Sequence, residues 1–442
     1  MKRCAIIGGG ISGLAAAYYL SRKVPDGQVT LFEAASRLGG VIRTETRDGC
    51  VIDGGPDSFL TIKRAAFNLC AEIGLQDSLV GSNDATRKTF ILSEGKLKTI
   101  PEGLFLMIPT SPLPFLKTDL VSWPGKFAAV SDLFALPEQR DCTVAEFIEK
   151  RFGTEILQRI AEPMLAGIYG AGVHRLSLKS ALPQLWEMQK KGSLVRQLLG
   201  RRSSASKESL FTTLAGGMET LVRRLVERTA GVQWRTSTPV EEIRKTNGGW
   251  RIQDEPYDAV LVASSTLPQI RSENGSRIRD LIGGVRRNSA IVVVFGFEKL
   301  RKDGFGWLVP ATERRTVLAC TYLTNKFPGR SPENRFLVRL FIGGGNAAEW
   351  IGRSDDEIYT EARLELQRIA GIDETPAFSF LYRWSSAMPE YEVSHEERMA
   401  EVARCAQQEQ SLFLTGNLWS GVGMPDCIRH AEMTASAAAG VL

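Results

Sequence analysis

The chain has 442 residues, enough for two or three domains and for a large core that needs neither disulfides nor a structural metal. Hydrophobic residues at 43% and charged residues at 24% exclude a disordered or fibrous chain. The balance of 55 Lys+Arg against 50 Asp+Glu leaves +5, too small an excess to argue for nucleic acid. Seven cysteines with no C-x-x-C pair read as reduced thiols of a cytoplasmic protein, and three scattered histidines exclude a histidine-rich metal site.

The uncharged stretch from Cys4 to Leu20 follows Met1-Lys2-Arg3 and has the outline of a signal peptide. Gly8, Gly9, Gly10 and Gly13 would weaken its helical core, so an uncleaved strand and helix are expected instead. A strand over 3–7, a glycine turn, a helix over 12–21 and a strand over 28–33 make a βαβ unit, and its crossover requires a parallel sheet. A helix over 65–73 ends at Gly74. Prolines 101, 109, 112, 114 and 124 interrupt the apolar stretch that follows, which cannot be one helix. Helical patterns return at 143–151, 154–165 and 177–191. Residues 190–207 carry six basic residues and no acid and predict a mobile surface loop. Beyond it come a helix over 218–229, a strand region over 232–243, a hairpin around 250–252 and a buried strand over 259–262. The run 290–297 (AIVVVFGF) is the strongest strand pattern, joined by 316–323 and 335–342 in an antiparallel set. A helix over 355–370, a strand over 412–415 and a helix over 425–440 close the chain. There is no internal repeat.

Gly8-x-Gly10-x-x-Gly13 falls between the first strand and its helix. There Gly8 allows a tight turn, Gly10 lets backbone approach a pyrophosphate and Gly13 lets helix pack on strand. The helix N-terminus, with Ile11 and Ser12 in its first turn, offers N–H groups to phosphates. Glu33 lies 20 residues past Gly13, where an acid meets ribose hydroxyls. Together these predict dinucleotide binding. Arg37, Gly39 and Gly40 follow Glu33 closely. An arginine and a glycine pair there suit a second phosphate contact and a close backbone approach. The run resembles the extended signature of FAD enzymes of the amine oxidase type, and that resemblance favours flavin over nicotinamide. Far downstream, 412–417 reads as a strand entering a turn, and Gly421-Val422-Gly423-Met424-Pro425-Asp426 opens the last helix.

The chain resembles the oxygen-dependent protoporphyrinogen oxidases and the bacterial coproporphyrinogen III oxidases, FAD enzymes of the amine oxidase type. The segments that carry the resemblance run nearly the whole chain in order: 55–60 (GPDSFL), 162–169 (EPMLAGIY) with 176–178, 213–219 (TLAGGME), 304–310 (GFGWLVP), 382–384 with Met388, Pro389 and Tyr391, and 421–427. It implies an α/β (α+β overall) fold. An FAD-binding Rossmann-like domain would comprise 1–80, 212–270 and 385–442, an antiparallel-sheet substrate domain 81–100 and 271–384, and a helical insertion 101–211.

The resemblance further implies FAD contacts at Gly8, Gly9, Gly10, Ile11, Ser12, Gly13, Glu33, Ala34, Arg37, Gly39, Gly40 and Val41. Further contacts are implied at Gly55, Pro56, Asp57, Ser58, Val240, Trp384, Gly416, Val422, Gly423 and Met424. Gly167, Phe305, Gly306 and Leu308 match substrate positions, although as small, aromatic and aliphatic residues they equally suit a core. Departures stand at Asp53-Gly54, at Gly170-Ala171-Gly172 and at Thr89. Thr89 takes the place of a propionate-binding arginine, and Lys63 is the basic residue that would replace it.

The implied reaction takes a porphyrinogen to the porphyrin of haem biosynthesis in repeated two-electron steps, with oxygen as acceptor and peroxide as by-product. The flavin carries the chemistry, so no catalytic side chain and no metal are expected. Protoporphyrinogen IX is favoured over coproporphyrinogen III. An amine or polyene oxidase, or a flavin-free binding protein on the same fold, are the rivals. Contact of the apolar stretch 103–116 with a membrane surface, and a homodimer, stay open.

Overall fold

The computed structural model describes residues 2–170, 172–198, 208–419 and 421–442. Ala171 and the 199–207 part of the predicted basic loop lie outside the described residues.

The strands of the two large sheets are, in chain order, β1 (Arg3–Ile7), β2 (Gln28–Phe32), β3 (Thr89–Ser93), β4 (Lys96–Thr99), β5 (Val232–Arg235), β6 (Ala259–Val262), β7 (Arg287–Glu298), β8 (Gly306–Leu308), β9 (Ala319–Tyr322), β10 (Arg335–Gly343), β11 (Phe378–Pro389) and β12 (Leu412–Leu414). Four helices bear on the site: α1 (Ile11–Lys23), α2 (Arg64–Glu72), α3 (Glu162–Tyr169) and α4 (Met424–Ala439).

The first sheet is all parallel, in the order β5-β2-β1-β6-β12. Its central strand buries Cys4 to Ile7, as a strand covered on both faces must. One face packs with Leu14, Leu20, Leu31, Leu221, Leu261 and Ile428 in a core that draws in α1 and α4. The chain builds outward from β1 through β2 to β5, then returns to β6 and β12 on the other side. That reversal leaves a crevice at the carboxyl ends of β1 and β6, where open α/β sheets bind ligands.

The second sheet has seven strands in the order β11-β7-β10-β9-β8-β3-β4. All neighbours are antiparallel except β8 and β3. The expected set of three strands is therefore larger. The 319–322 strand reaches β7 only through β10, and β11, which the sequence pattern did not announce, pairs with β7 over nearly its whole length. The domain division expected between residues 384 and 385 falls inside β11 and moves to the end of that strand, because a strand hydrogen-bonded along its length belongs to one sheet.

Between residues 112 and 198 the chain forms a layer of short helices over its own core, which includes Leu120, Phe147, Phe152, Ile160 and Leu185. Proline sets the helix starts: Pro112, Pro124 and Pro183 each stand in a first turn, where the missing N–H costs nothing. Pro183 also splits the helix expected over 177–191 at Leu182. The pattern expected over 154–165 continues to Tyr169 through a π-helical turn at Leu157–Ala161. Widening the turn there accommodates Pro163, which would otherwise clash with the carbonyl four residues back. Thr143 and Glu146 close a capping box at the start of Val144–Phe152. Within the basic stretch, Leu194–Leu198 is a short helix rather than a loop. No helix among the described residues is long and apolar enough to cross a membrane.

Candidate active site

The crevice begins at the turn after β1. Gly8 has φ +107°, and a Cβ there would lie 3.0 Å from the Ala263 backbone at the end of β6. A Cβ on Gly13 would overlap the Gly8 carbonyl oxygen, so α1 rests directly on the turn. Gly10 behaves differently. Its backbone is extended (φ −73°, ψ 179°), and a Cβ would meet nothing within 4 Å. It caps α1 without a side-chain hydrogen bond, and no acid lies in the first turn, which leaves the first N–H groups of α1 to be met by a ligand.

Glu33 emerges from β2 beside this turn. Its carboxylate accepts from the Gly9 N–H at 2.6 Å and the Ala35 N–H at 2.8 Å. The segment carrying Val240 runs alongside: the Ser237 N–H donates to the Ala35 carbonyl and the Thr238 N–H to that of Glu33. Ala34 is exposed and Val240 packs part-buried on the neighbouring core.

The Arg37 guanidinium donates to the carbonyls of Leu38 (3.2 Å), Ile42 (3.0 Å) and Gly40, which folds residues 37–42 into a compact loop. The Gly39 N–H donates to the Gly9 carbonyl at 2.8 Å, and Gly40, at φ +57°, lies against Gly10. Val41 at the tip is 41% exposed.

A second loop, 53–58, presses against the first. A Cβ on Gly55 would overlap the Val41 carbonyl, and the Trp384 indole on β11 donates to the Gly54 carbonyl at 2.8 Å. Pro56 is half-buried. Asp57 is buried between Lys326 (3.2 Å) and Arg339 (3.2 Å), and accepts from the Ser58 hydroxyl at 2.7 Å. Burial alone would raise its pKa, but Lys326, Arg339, Ser58 and Arg330 overcome that and hold the carboxyl well below the usual range. Asp53, fully buried, pairs with Arg330 at 2.7 Å. Arg330 also donates to the Asp57 carbonyl at 3.2 Å and to the Thr213 hydroxyl, and Arg339 to the Gly55 carbonyl.

The carboxyl end of β12 supplies the opposite wall. Gly416 has φ +133°, and a Cβ there would meet nothing within 4 Å. Gly423 caps α4 with no side-chain partner, Val422 packs toward the helical layer, and Met424 is buried in the nucleotide-side core. Gly167 on α3 and Leu308 on β8 converge, with a Cβ on Gly167 falling 3.9 Å from Leu308 Cδ2. Phe305 is buried. A Cβ on Gly306 (φ +133°) would overlap the Cys320 carbonyl, so strand pairing with β9 already accounts for that glycine. Lys63, just before α2, is not free: its ammonium meets Asp426 in the first turn of α4 at 2.6 Å.

Sequence reasoning missed Lys326, Arg330 and Arg339, and it noted Asp53 and Asp426 without giving either a role. Arg339 alone left a signal, as a lone charge in the apolar run FLVRLFI.

Two adjacent helix N-termini without side-chain caps, empty room at Gly10 and Gly416, and an acid at the end of β2 fit a dinucleotide with its pyrophosphate over α1. The class so defined is a dinucleotide-binding α/β protein. The chain belongs to the flavin-containing amine oxidoreductase family, whose profile matches residues 11–439, and it is an FAD-dependent oxidoreductase. It is 31% identical to the coproporphyrinogen III oxidase of Bacillus subtilis (strain 168), over 98% of this chain and 97% of that one. It is 25% identical to protoporphyrinogen oxidase 2 of Arabidopsis thaliana, over 96% and 91%. A crystal structure from Exiguobacterium sp. 255-15 superposes with a TM-score of 0.89 at 29% identity, covering 99% of this chain and 98% of that one.

Proposed function

We propose that this protein oxidises a porphyrinogen to the porphyrin in haem biosynthesis, taking coproporphyrinogen III ahead of protoporphyrinogen IX, with oxygen as acceptor and hydrogen peroxide as by-product. The sequence alone favoured protoporphyrinogen IX. The observation that carries the change is full-length similarity at 30–31% identity to bacterial proteins named coproporphyrinogen III oxidase, against 25–28% to plant protoporphyrinogen oxidases.

When bound, FAD supplies the two-electron acceptor. The chain's own residues bind, orient and exclude water. Gly8, Gly10 and the N-terminus of α1 would take the pyrophosphate, and Glu33 the ribose hydroxyls. Gly39 to Val41 and Gly55 to Ser58, locked together by Arg37, Arg339 and Trp384, would hold the ring end. The N-terminus of α4 brings a positive dipole end to the same crevice, where the Asp426 carboxylate of its first turn and the Lys63 ammonium already meet. Leu308 and Gly167 would form an apolar wall, and Lys63 would offer its ammonium to a carboxylate arm. No side chain is asked to act as nucleophile or base.

Purified protein should be yellow. Anaerobic coproporphyrinogen III should bleach it, air should restore the colour with peroxide released, and protoporphyrinogen IX should turn over more slowly. Bleaching by NADH and not by either porphyrinogen would overturn the proposal.

A separate observation bears on location. Leu113, Leu116, Trp123, Phe127, Phe134 and Leu136, all between residues 113 and 136 of the helical layer, are 46–79% exposed, with the Trp123 and Phe127 rings 6.5 Å apart, and we take them together as one apolar face. It extends beyond the 103–116 stretch that the sequence suggested. We propose that this face rests on a lipid surface. Co-flotation with phospholipid vesicles, lost on Phe127→Ser with Phe134→Ser, supports this; wild-type protein that stays with the aqueous fraction refutes it.

A further inference from the structure

Lys63 and Asp426 are 363 positions apart, yet their side chains meet at 2.6 Å. They meet where two elements converge: Lys63 is the residue before α2, and Asp426 lies in the first turn of α4, which packs against α2. The two partners differ in freedom. The Asp426 side chain is 11% exposed and folds back against the 421–423 turn; its Oδ2 lies 2.5 Å from where a Cβ on Gly421 would sit and 3.2 Å from one on Gly423. The Lys63 side chain is 46% exposed. An ammonium carries three donors, and Asp426 Oδ2 takes one of them.

We infer that Asp426 is a positioning residue for Lys63: it tethers the ammonium beside the N-terminus of α4 with its remaining donors turned to the cleft, ready for a carboxylate of the substrate. This rests on the reading above that Lys63 meets a carboxylate arm. Asp426 is too enclosed to leave the turn, so an incoming carboxylate adds to the pair rather than replacing Asp426. An untethered lysine stem samples many rotamers and must be ordered on binding, and the tether removes that cost beforehand.

The test uses flavin-loaded full-length protein: wild type, Asp426→Asn, Lys63→Ala, Lys63→Arg and the Asp426→Asn/Lys63→Ala double variant. Two quantities are read, binding of coproporphyrin III by quenching of tryptophan fluorescence, and KM and kcat with coproporphyrinogen III. Thermal midpoints and flavin content check folding. Asp426→Asn should raise the porphyrin Kd and KM about two- to fivefold, the range of a partly exposed ion pair, with kcat and flavin content unchanged. Lys63→Ala should raise them about tenfold or more, and Lys63→Arg should recover most of that. In the Lys63→Ala background, Asp426→Asn should add nothing. Wild-type affinity in Asp426→Asn, or independent losses that multiply in the double variant, overturns the inference and leaves the substrate reading intact. Wild-type protein that binds no porphyrin overturns the substrate reading, and the inference with it.

Discussion

The two glycines that flank the start of α1 should fail in opposite ways when each gains a methyl group. Gly10 has a backbone any L residue adopts, and its Cβ would meet nothing within 4 Å. Alanine there costs about 0.5–1 kcal/mol as a poorer N-cap. It regains about 0.4–1 kcal/mol by restricting the unfolded chain. The flavin-free protein should therefore keep its stability to within about 1 kcal/mol. The methyl group would instead fill space meant for the pyrophosphate. Overpacking of that kind costs about 1–3 kcal/mol, so FAD should bind about five- to 150-fold more weakly. Gly13→Ala has the reverse signature. Its Cβ would overlap the Gly8 carbonyl oxygen and stand 3.1 Å from the Gly8 carbonyl carbon, and relief requires moving α1, which buries every residue from Ser12 to Leu20. That loss, about 1–3 kcal/mol or more, falls on the folded chain itself. The assay is a thermal midpoint for each variant with and without excess FAD, beside a flavin titration. Wild type should gain stability from FAD by mass action. Gly10→Ala should start from the wild-type flavin-free midpoint and gain little, and Gly13→Ala should start low. Gly10→Ala protein with wild-type flavin affinity, or with a flavin-free midpoint as low as that of Gly13→Ala, would refute the cradle at Gly10.

Glu33→Ala should weaken FAD binding by on the order of 1.5–3 kcal/mol, through lost charge-assisted bonds, in the same titration. Arg330→Met should destabilise the fold by about 3–5 kcal/mol in denaturant unfolding, because it leaves the Asp53 carboxylate buried without its cation. His430 supplies a pH test. Burial, with help from Arg429, lowers its pKa from 6.5 to about 4, where it stacks on Trp419 and its Nδ1 meets the Thr415 hydroxyl at 2.9 Å. The folded chain thus favours the neutral ring. Its contribution is whole above pH 6.5 and is lost as pH falls from there toward 4, by up to about 3 kcal/mol. His430→Gln should flatten stability across that window, and an unchanged pH profile would remove His430 from the account.

Local pattern carried much of the nucleotide side. The strand, turn, helix and strand at the N-terminus were legible because each is specified within a few residues, and Glu33 could be found by counting. The helix Asp355–Ala370 was legible for the same reason, with Ser354 and Glu357 forming its capping box. β11 was not. Its residues (FSFLYRWSSAMP) are mostly half-buried, with Tyr382 and Pro389 buried and no regular alternation, because it is the edge strand of its sheet and β7 is its one neighbour in the sheet order. The site's ion pairs were equally silent. Asp53 and Arg330, or Lys63 and Asp426, are ordinary charges in sequence and acquire meaning only when the fold brings them together.

Those pairs also decide which parts of the molecule can move apart. Asp53 and Asp57 belong to the loop that abuts the Gly39–Val41 turn, whereas Lys326, Arg330 and Arg339 belong to the β9–β10 connection and β10 of the seven-stranded sheet. Drawing the sheet away from the loop would strand several buried charges at once, and each broken pair costs about 3–5 kcal/mol. The loop and that sheet therefore behave as one rigid wall. The helical layer meets that wall differently. Gly167 faces Leu308 with no side chain of its own, and Gly170 lies under Met388. Apolar contacts of that kind can part for about 25 cal/mol per Å² exposed, whereas farther along, the same layer is pinned by Arg175, whose guanidinium pairs at 2.7 Å with the buried Glu390 just past β11. Any widening of the cleft on the helical side is therefore easiest at the Gly167 and Gly170 contacts and is resisted at the Arg175–Glu390 pair.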